Sequence, residues 1–559
     1  MPEAQTADAR SDLMGTLAAL LVGGAAFLVC VGWHTLLPTN IAWLDTGDRA
    51  MHQLGWMFFR HSPWGMPPGI SPNLGVELAN SIGLVDGLSL FAFPFKLIEA
   101  WLPEPFQYWG YWLLLCFVMQ ALLAYRIARI LEAGPVLAVV AAAFVVTTPA
   151  FLFRVPMHMA LSGHWLILLA LLIYVRGGPV RLWTWPLLIA LTTVVHLYLL
   201  AMVLGIWVAD LFRRLLARMV SRRRVLGEFA CGIAVMLVLM WAIGFMMTGS
   251  LGASGYGAYK FNLLGFIIPY RWSEWFPQVP HTELDYEGLS FLGIGIMALL
   301  VLSVISGGVL RARELWNRRW LPLVILLALM LLFSVSNKVA VADMEVVRIL
   351  YPRIIVVTAS LFRSTGRFIW PLLYLLIILA VVMPGWRWRQ GIVVALATLA
   401  LGVQLYDSRT ATQAFRVSQR APAAVWVTEL QSPFWERAAE AGYNRVRAIP
   451  YRGIGGDWKA LSYYANSHGM DTDAVYLGRV DDNARNDRTH TVEDAFAQGR
   501  VEPLTIYVVD PAHALQMAAH LGPDDLLAVI DHRIVYAYGG AALVTGLGID
   551  PHGGIAGTD

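Results

Sequence analysis

The sequence predicts a polytopic α-helical membrane protein of about eleven transmembrane helices, followed by an extracytoplasmic α/β domain. Three observations predict it. Of 559 residues, 58% are hydrophobic and only 14% are charged, where soluble domains carry about 25% charged residues. Stretches such as 15–33, 235–247 and 291–305 are long and almost uncharged, as a bilayer crossing requires. From about Arg409 onward the composition becomes ordinary and charged. The 22 Trp and 20 Tyr suit interfacial belts. Cys30, Cys116 and Cys231 all lie in apolar stretches, which argues against a disulfide framework.

Taken in order, the first apolar run ends in Trp33-His34 without a small-residue cleavage site, so 14–36 reads as an uncleaved span. The basic clusters at 126–129, 176–181, 213–224, 311–319 and 387–389 mark cytoplasmic loops. Parity between them then places spans at 106–125, 134–153 and 160–176. It also gives two short spans within 182–212, and spans at 227–248, 289–308, 320–336, 368–385 and 391–406. Parity forbids a crossing by 84–102, which carries Asp86, Lys96 and Glu99 and should lie on the outer surface. The expected domains are a transmembrane region, 1–408, with outer loops 37–105, 249–288 and 337–367, and an extracytoplasmic α/β domain, 409–547. In the latter, helical patterns at 429–441, 458–467 and 511–521 alternate with β-rich runs at 445–449, 474–477, 504–509 and 528–538. The Gly-rich tail 548–559 is expected to be disordered.

Polar chemistry collects on the outer side. Asp45, Asp48 and His52 are spaced three and four apart, so on a helix they share one face. A carboxylate held there can serve as a base, and with His52 it can share a divalent cation. The plainer alternative is that Asp45 caps a helix and Asp48 is solvated. A second set, Arg154, His158, Ser162 and His164, falls at the outer end of spans three and four, and His196 and Tyr198 fall at the turn of the short hairpin. Histidines there can equally bond backbone carbonyls. Lys260, Arg271, Lys338, Arg348, Arg353, Arg363 and Arg367 run against the inside-positive bias. Arg363 and Arg367, four apart, suit a phosphate, with headgroup snorkelling as the alternative. Asn262, Trp272, Trp275, Glu287 and Gly288 fit a sugar pocket or an aromatic belt. The substrate-binding candidates are Asp86, His158, His164, His196, Asn262 and Glu287. The chain has no P-loop, dinucleotide fingerprint, HExxH or Cys-based metal motif. Nor does it show a membrane-buried carboxylate pair of the proton-pump kind, and nucleic acid is not among the expected partners.

The order of one span, a large outer loop with an early Asp, a bundle and an outer soluble domain resembles the GT-C superfamily of membrane glycosyltransferases. More closely, GDRAMHQLGWMFFR, LVDGLSLFAFPFK, PEPFQYWGYWLLLCFVMQ, YEGLSFLG and FRSTGRFIWP look like a family of bacterial inner-membrane proteins similar to the YfhO-like group, over most of the chain. The superfamily resemblance implies a polyprenyl-phosphate sugar as donor. The acceptor is expected to be an envelope glycan, a lipid-linked glycan or a protein. Asp48, then Asp45, would be the base, with His52 beside it. Arg363, Arg367 and Lys338 would hold the donor phosphate. If a divalent cation (Mg or Mn) takes part, Asp48 and His52 would bind it. The first outer loop has no DxD or WWD-type motif, which argues against oligosaccharyltransferase-like chemistry and against tight metal dependence. A bacterial inner-membrane location follows, with a cytoplasmic N-terminus and a periplasmic C-terminal domain. Two other functions compete: a non-catalytic envelope scaffold, and a transporter or flippase of a lipid-linked precursor.

Overall fold

The computed structural model describes residues 2–78, 80–247, 256–419, 425–451, 457–478 and 480–553. Residues 249–255 of the second expected outer loop and 554–559 of the expected disordered tail lie outside the described residues. The chain divides into two compact units. The first comprises Met1–Trp43, Gln107–Leu237 and Gly252–Ala424; the second comprises Leu44–Phe106, Val238–Leu251 and Val425–Asp559. The loop expected to belong to the transmembrane region, 37–105, is therefore largely part of the same unit as the C-terminal sheet.

Against eleven expected crossings, seven helices among the described residues are long and apolar enough to cross a membrane. They are Arg10–Cys30, Trp109–Ile130, Met159–Arg176, Arg222–Ala242, Arg318–Val335, Thr365–Trp386 and Gln390–Asp407. The bent pair Ile294–Ile305 and Gly308–Glu314, with a 67° kink, makes eight if counted as one span. The difference has local causes. Pro135–Val146 has 12 residues and Thr184–Thr193 has 10, well short of the roughly 20 that a bilayer needs. The second half of the expected short hairpin is instead a full helix, Leu197–Leu216, which carries Asp210, Arg213 and Arg214. Those charges are tolerated because they are paired. Arg214 meets Asp210 at 2.8 Å and Glu228 at 2.6 Å, and both carboxylates are fully buried. Asp210 and Glu228 are thus buried but neutralised by arginines, in the manner of a structural clamp rather than of a proton-pump pair. The stretch expected on the outer surface forms the short helix Ser89–Leu97, which contains Pro94, and a 3-10 turn at Glu99–Trp101.

Within the first unit the helices pack through small residues. A Cβ on Gly23 would fall 2.7 Å from the Phe117 carbonyl, so the first helix and Trp109–Ile130 approach backbone to backbone. The basic helix ends gather together. Asp12 holds Arg126 and Arg129, the Trp386 indole donates to the Leu131 carbonyl, Arg387 reaches Glu314, and the Tyr174 hydroxyl donates to the Arg319 carbonyl. The opposite ends of two of these helices, Met159–Arg176 and Thr365–Trp386, carry the candidate site. A hairpin of β1 (Lys338–Val341) and β2 (Met344–Arg348) stands in the loop before the latter.

The second unit is built on a five-stranded mixed sheet in the order β4-β3-β5-β7-β6. The strands are β3 (Arg445–Ile449), β4 (Asp471–Thr472), β5 (Thr505–Val509), β6 (Leu526–Ile530) and β7 (Arg533–Ala537). β3 pairs parallel with β4 and β5, and β7 pairs antiparallel with β5 and β6. The run 528–538, expected as one strand, is a hairpin, because Asp531 and His532 both take positive φ and form a two-residue turn. The run 474–477 is not a strand; pairing at that edge stops at Thr472. Phe496, Tyr507, Met517, Leu527 and Tyr536 form the core on one face. Of the Gly-rich tail, residues 548–553 are placed, and the Pro551 carbonyl accepts from the Leu527 amide at 2.7 Å. The first loop completes this unit. Its helix Gly47–His61 is buried from Arg49 to Arg60 and packs on Trp458–Ser467, and Leu74 bridges Thr472 in parallel at the free side of β4.

Candidate functional site

Two glycines explain how three distant segments meet in the helical unit. The segment Glu283–Gly288 is a 3-10 turn opened by a capping box between Thr282 and Asp285. Gly366 opens onto Thr365–Ile369, and its amide donates to the Tyr259 carbonyl at 3.0 Å. A Cβ on Gly366 would lie 2.7 Å from the Gly288 Cα and 2.8 Å from the Lys260 carbonyl carbon. Only glycine permits this approach, and it brings the neighbouring side chains Glu287 and Arg367 together. Gly366→Ala is expected to lower thermal stability by about 3 kcal/mol, the upper range for an overfilled interior. A melt of the purified protein in lipid nanodiscs checks it; an unchanged melting temperature would show that the contact yields.

Glu287 is the centre of the cluster. Its Oε2 accepts from Arg154 Nη1 at 2.7 Å and from Arg367 Nε at 2.9 Å, and its Oε1 lies 3.5 Å from His158 Nε2. Arg154 also donates to the Glu287 carbonyl at 2.9 Å. Arg154, Arg367 and Glu287 are 1%, 6% and 3% exposed, so two guanidiniums share one carboxylate out of water. With His158 neutral, the four side chains carry a net charge of +1. Burial alone would raise the Glu287 carboxyl; the two guanidiniums outweigh it and hold the group well below the usual carboxylate range.

Aromatic rings carry the guanidiniums. Arg154 lies 5.3 Å from the Trp370 ring and Arg367 lies 4.6 Å from the Tyr198 ring. The Tyr198 hydroxyl accepts from the Ser364 amide at 2.8 Å, which ties the start of Leu197–Leu216 to the arginine loop. His196 caps that helix, its Nδ1 accepting from the Tyr198 amide. His164 also packs against Trp370, with ring centroids 4.0 Å apart, and its Nδ1 meets the Tyr374 hydroxyl. His164 Nε2, Ser162 Oγ and Arg154 Nε are buried without a hydrogen-bond partner among the described residues. Such groups are costly unless water or a ligand reaches them.

The other expected residues are distributed as follows. Arg363 is exposed, with its guanidinium 4.9 Å from the Tyr259 ring. Lys338 is half-buried at the start of β1. Asn262 is structural: its side chain bonds Asp285 and the backbone of Ala342 and Leu264, fixing the hairpin turn. Asp45, Asp48, His52 and Asp86 belong to the second unit. There Asp45 precedes the helix, which starts at Gly47, so only Asp48 and His52 share a helical face. Asp48 is half-buried in the first turn, His52 is buried, and Asp86 is half-buried at a positive φ of 50°. Sequence reasoning passed over Trp370, Tyr259 and Asp285; the spacing of Asp285 and Glu287 within LDYEG was the available signal for the last. Among the described residues no group of three or more His, Cys, Asp or Glu is arranged to hold a metal ion.

Comparison with protein families places residues 20–409, more than half of the chain, in a domain of unknown function, DUF6311. The chain belongs to the DUF6311 family. Residues 434–538 match the DUF6311 C-terminal domain, which encloses all five strands of the sheet, β3 to β7, within its bounds. The DUF6311 match spans all four residues of the Arg154–His158–Glu287–Arg367 cluster. No curated protein matches the chain.

Proposed function

We propose that the protein is a multi-pass membrane glycosyltransferase that moves a sugar from a polyprenyl-phosphate donor to an extracytoplasmic acceptor. The observation that carries the reading is the cationic cluster of Arg154, Arg367 and His158 around Glu287, buried at one end of an apolar helical unit. Ionisable groups are expensive beside lipid and mark functional sites by default. Paired guanidiniums suit a phosphate, and preorganised charge at a leaving group accounts for most of the rate enhancement in many enzymes. The acceptor oxygen attacks the anomeric carbon, the bond from that carbon to the phosphate oxygen breaks, and polyprenyl phosphate leaves against Arg154 and Arg367. The acceptor proton passes to His158, which Glu287 orients and whose ring is half-buried. On this reading the cluster faces the periplasm of a bacterial inner membrane and the basic helix ends face the cytoplasm.

The test is deletion of the protein from its host, followed by complementation and envelope-glycan profiling. Wild type should restore one sugar that the deletion removes. Arg367→Ala and His158→Ala, at equal membrane abundance, should restore less than about 1% of it, a loss of 10² typical of an acid–base or charge-stabilising group. Asp48→Asn tests the base that the superfamily resemblance implies. Glycans that never change, or full restoration by both Arg367→Ala and His158→Ala, would remove the transferase reading.

A further inference from the structure

The α/β unit contains a crevice that the transferase reading does not use. From β3 the chain moves to β4 on one side of it, then crosses back to β5 on the other side. The connections leaving β3 and β5 therefore part in opposite directions, and a crevice opens at the carboxyl ends of those two strands. In open α/β sheets this switch point is where ligands bind. Here the crevice is a cavity of about 270 Å³.

Its lining is chemically mixed. Tyr451 follows β3, and Asp457 and Trp458 open the helix Trp458–Ser467. Asp510 follows β5 and caps Pro511–Ala518, accepting from the His513 amide at 3.0 Å. Arg533, at the start of β7, is buried; its Nη2 donates to Asp457 at 3.0 Å and to Glu429 at 2.9 Å. Its Nε has no hydrogen-bond partner among the described residues. Trp458 is half-buried and tilted against Tyr476.

Two carboxylates supply acceptors, one guanidinium supplies donors, and an aromatic face stands beside them. Hydroxyl groups both donate and accept, so a polyhydroxylated ring satisfies all of these. A phosphate would meet Asp457 and Asp510, whose charges outnumber that of Arg533. The volume of about 270 Å³ falls just below the roughly 300–1,000 Å³ of drug-sized pockets and suits one sugar ring rather than a dinucleotide. We propose that the crevice at the carboxyl ends of β3 and β5 binds a neutral sugar residue. Asp457 and Asp510 accept from its hydroxyls, Arg533 donates to them, and Trp458 packs on the ring face.

The experiment uses the full-length protein in lipid nanodiscs, free of sugar-based detergent. Saturation-transfer NMR is run against the methyl glycosides of glucose, mannose, galactose and N-acetylglucosamine, with pyrophosphate and ATP as anionic probes. At least one glycoside should bind, and Trp458→Ala and Asp457→Asn should each weaken it by about tenfold or more. Asp457 is exposed, so its variant carries the test if Trp458→Ala destabilises the unit. Three outcomes would each overturn the proposal: no glycoside binds, binding is unchanged in Asp457→Asn, or the anionic probes bind in place of sugars. The readout is binding alone, so its failure leaves the glycan-profile test untouched, and the reverse holds as well.

Discussion

Glu287→Gln should destabilise the helical unit by about 3–5 kcal/mol, the usual cost of removing one partner from a buried ion pair. The amide keeps the shape of the carboxylate, so little packing is lost. What is lost is the one negative charge between Arg154 and Arg367, both almost wholly out of water. Each guanidinium then repels the other in a medium that screens poorly. A melt in nanodiscs measures the loss. Because the three groups form one network, the double variant Glu287→Gln/Arg367→Gln should be less destabilised than the sum of the two single variants. Strict additivity would show that the charges do not interact.

The same variant separates a structural clamp from a phosphate site. If the cluster binds a lipid phosphate, an added anion supplies the charge that the substituted amide lacks. Short-chain polyprenyl phosphate should then raise the melting temperature of Glu287→Gln more than that of wild type. At 100 times the dissociation constant the stabilisation is about 2.7 kcal/mol, enough to recover most of the loss. A clamp with no ligand role would show no such recovery, and the uncharged polyprenol would act no differently from the phosphate.

The sequence disclosed local patterns well and long-range contacts poorly. The strand 445–449 and the helix 458–467 form over the residues that alternation and 3.6-residue periodicity mark out. The hairpin within 528–538 was hidden because its turn is Asp531-His532 rather than an Asn-Gly or Asp-Gly pair. The run 474–477 has strand composition but no partner to pair with, and its first two residues line the crevice instead. The full length of Leu197–Leu216 was hidden because Arg213 and Arg214 read as part of a cytoplasmic loop cluster, whereas they lie within the helix and pair with Asp210 and with Glu228 of the following helix. The candidate site divides in the same way. His158, Glu287 and Arg367 each stood out as charged or titratable residues beside apolar segments. Their meeting depends on the Gly288–Gly366 contact, and two glycines in separate loops leave no trace of proximity in a single sequence. Helical spacing groups Asp45, Asp48 and His52, but the helix begins two residues after Asp45 and leaves it off that face.

Arg447→Ala should open the first loop away from the C-terminal sheet. Arg447 is fully buried, and its guanidinium holds Glu77 at 2.7 Å, Asp473 at 2.8 Å and Glu502 at 2.9 Å. Glu77 is the loop's contribution to this network. Asp473 keeps Arg488 as a second partner at 2.9 Å, so the sheet side retains a counter-charge, whereas Glu77 loses the guanidinium that bonds it. The backbone bridge beside it is short: the Gly75 amide donates to the Thr472 carbonyl at 2.7 Å, and the Thr472 amide donates to the Asn73 carbonyl at 3.0 Å. The expected cost is about 3–5 kcal/mol, and hydrogen exchange should show loss of protection at Gly75 and Thr472 before the core amides of β5. Retained protection there would mean that burial of Gly47–His61 holds the loop without the ion network. Acid should produce the same opening in the wild type. Burial pushes the Glu77 carboxyl up, but the hydrogen bond and charge of Arg447 outweigh it, so its folded value lies below the ordinary 4.5. A depressed carboxyl contributes stability that is present above the unfolded value and lost as pH falls through the folded one. Protection at Gly75 and Thr472 should therefore hold at neutral pH and decline as pH falls below about 4.5. In Arg447→Ala that acid step should shrink, because only the Glu77 backbone hydrogen bond and the charge of Arg488 remain to depress the Glu77 carboxyl.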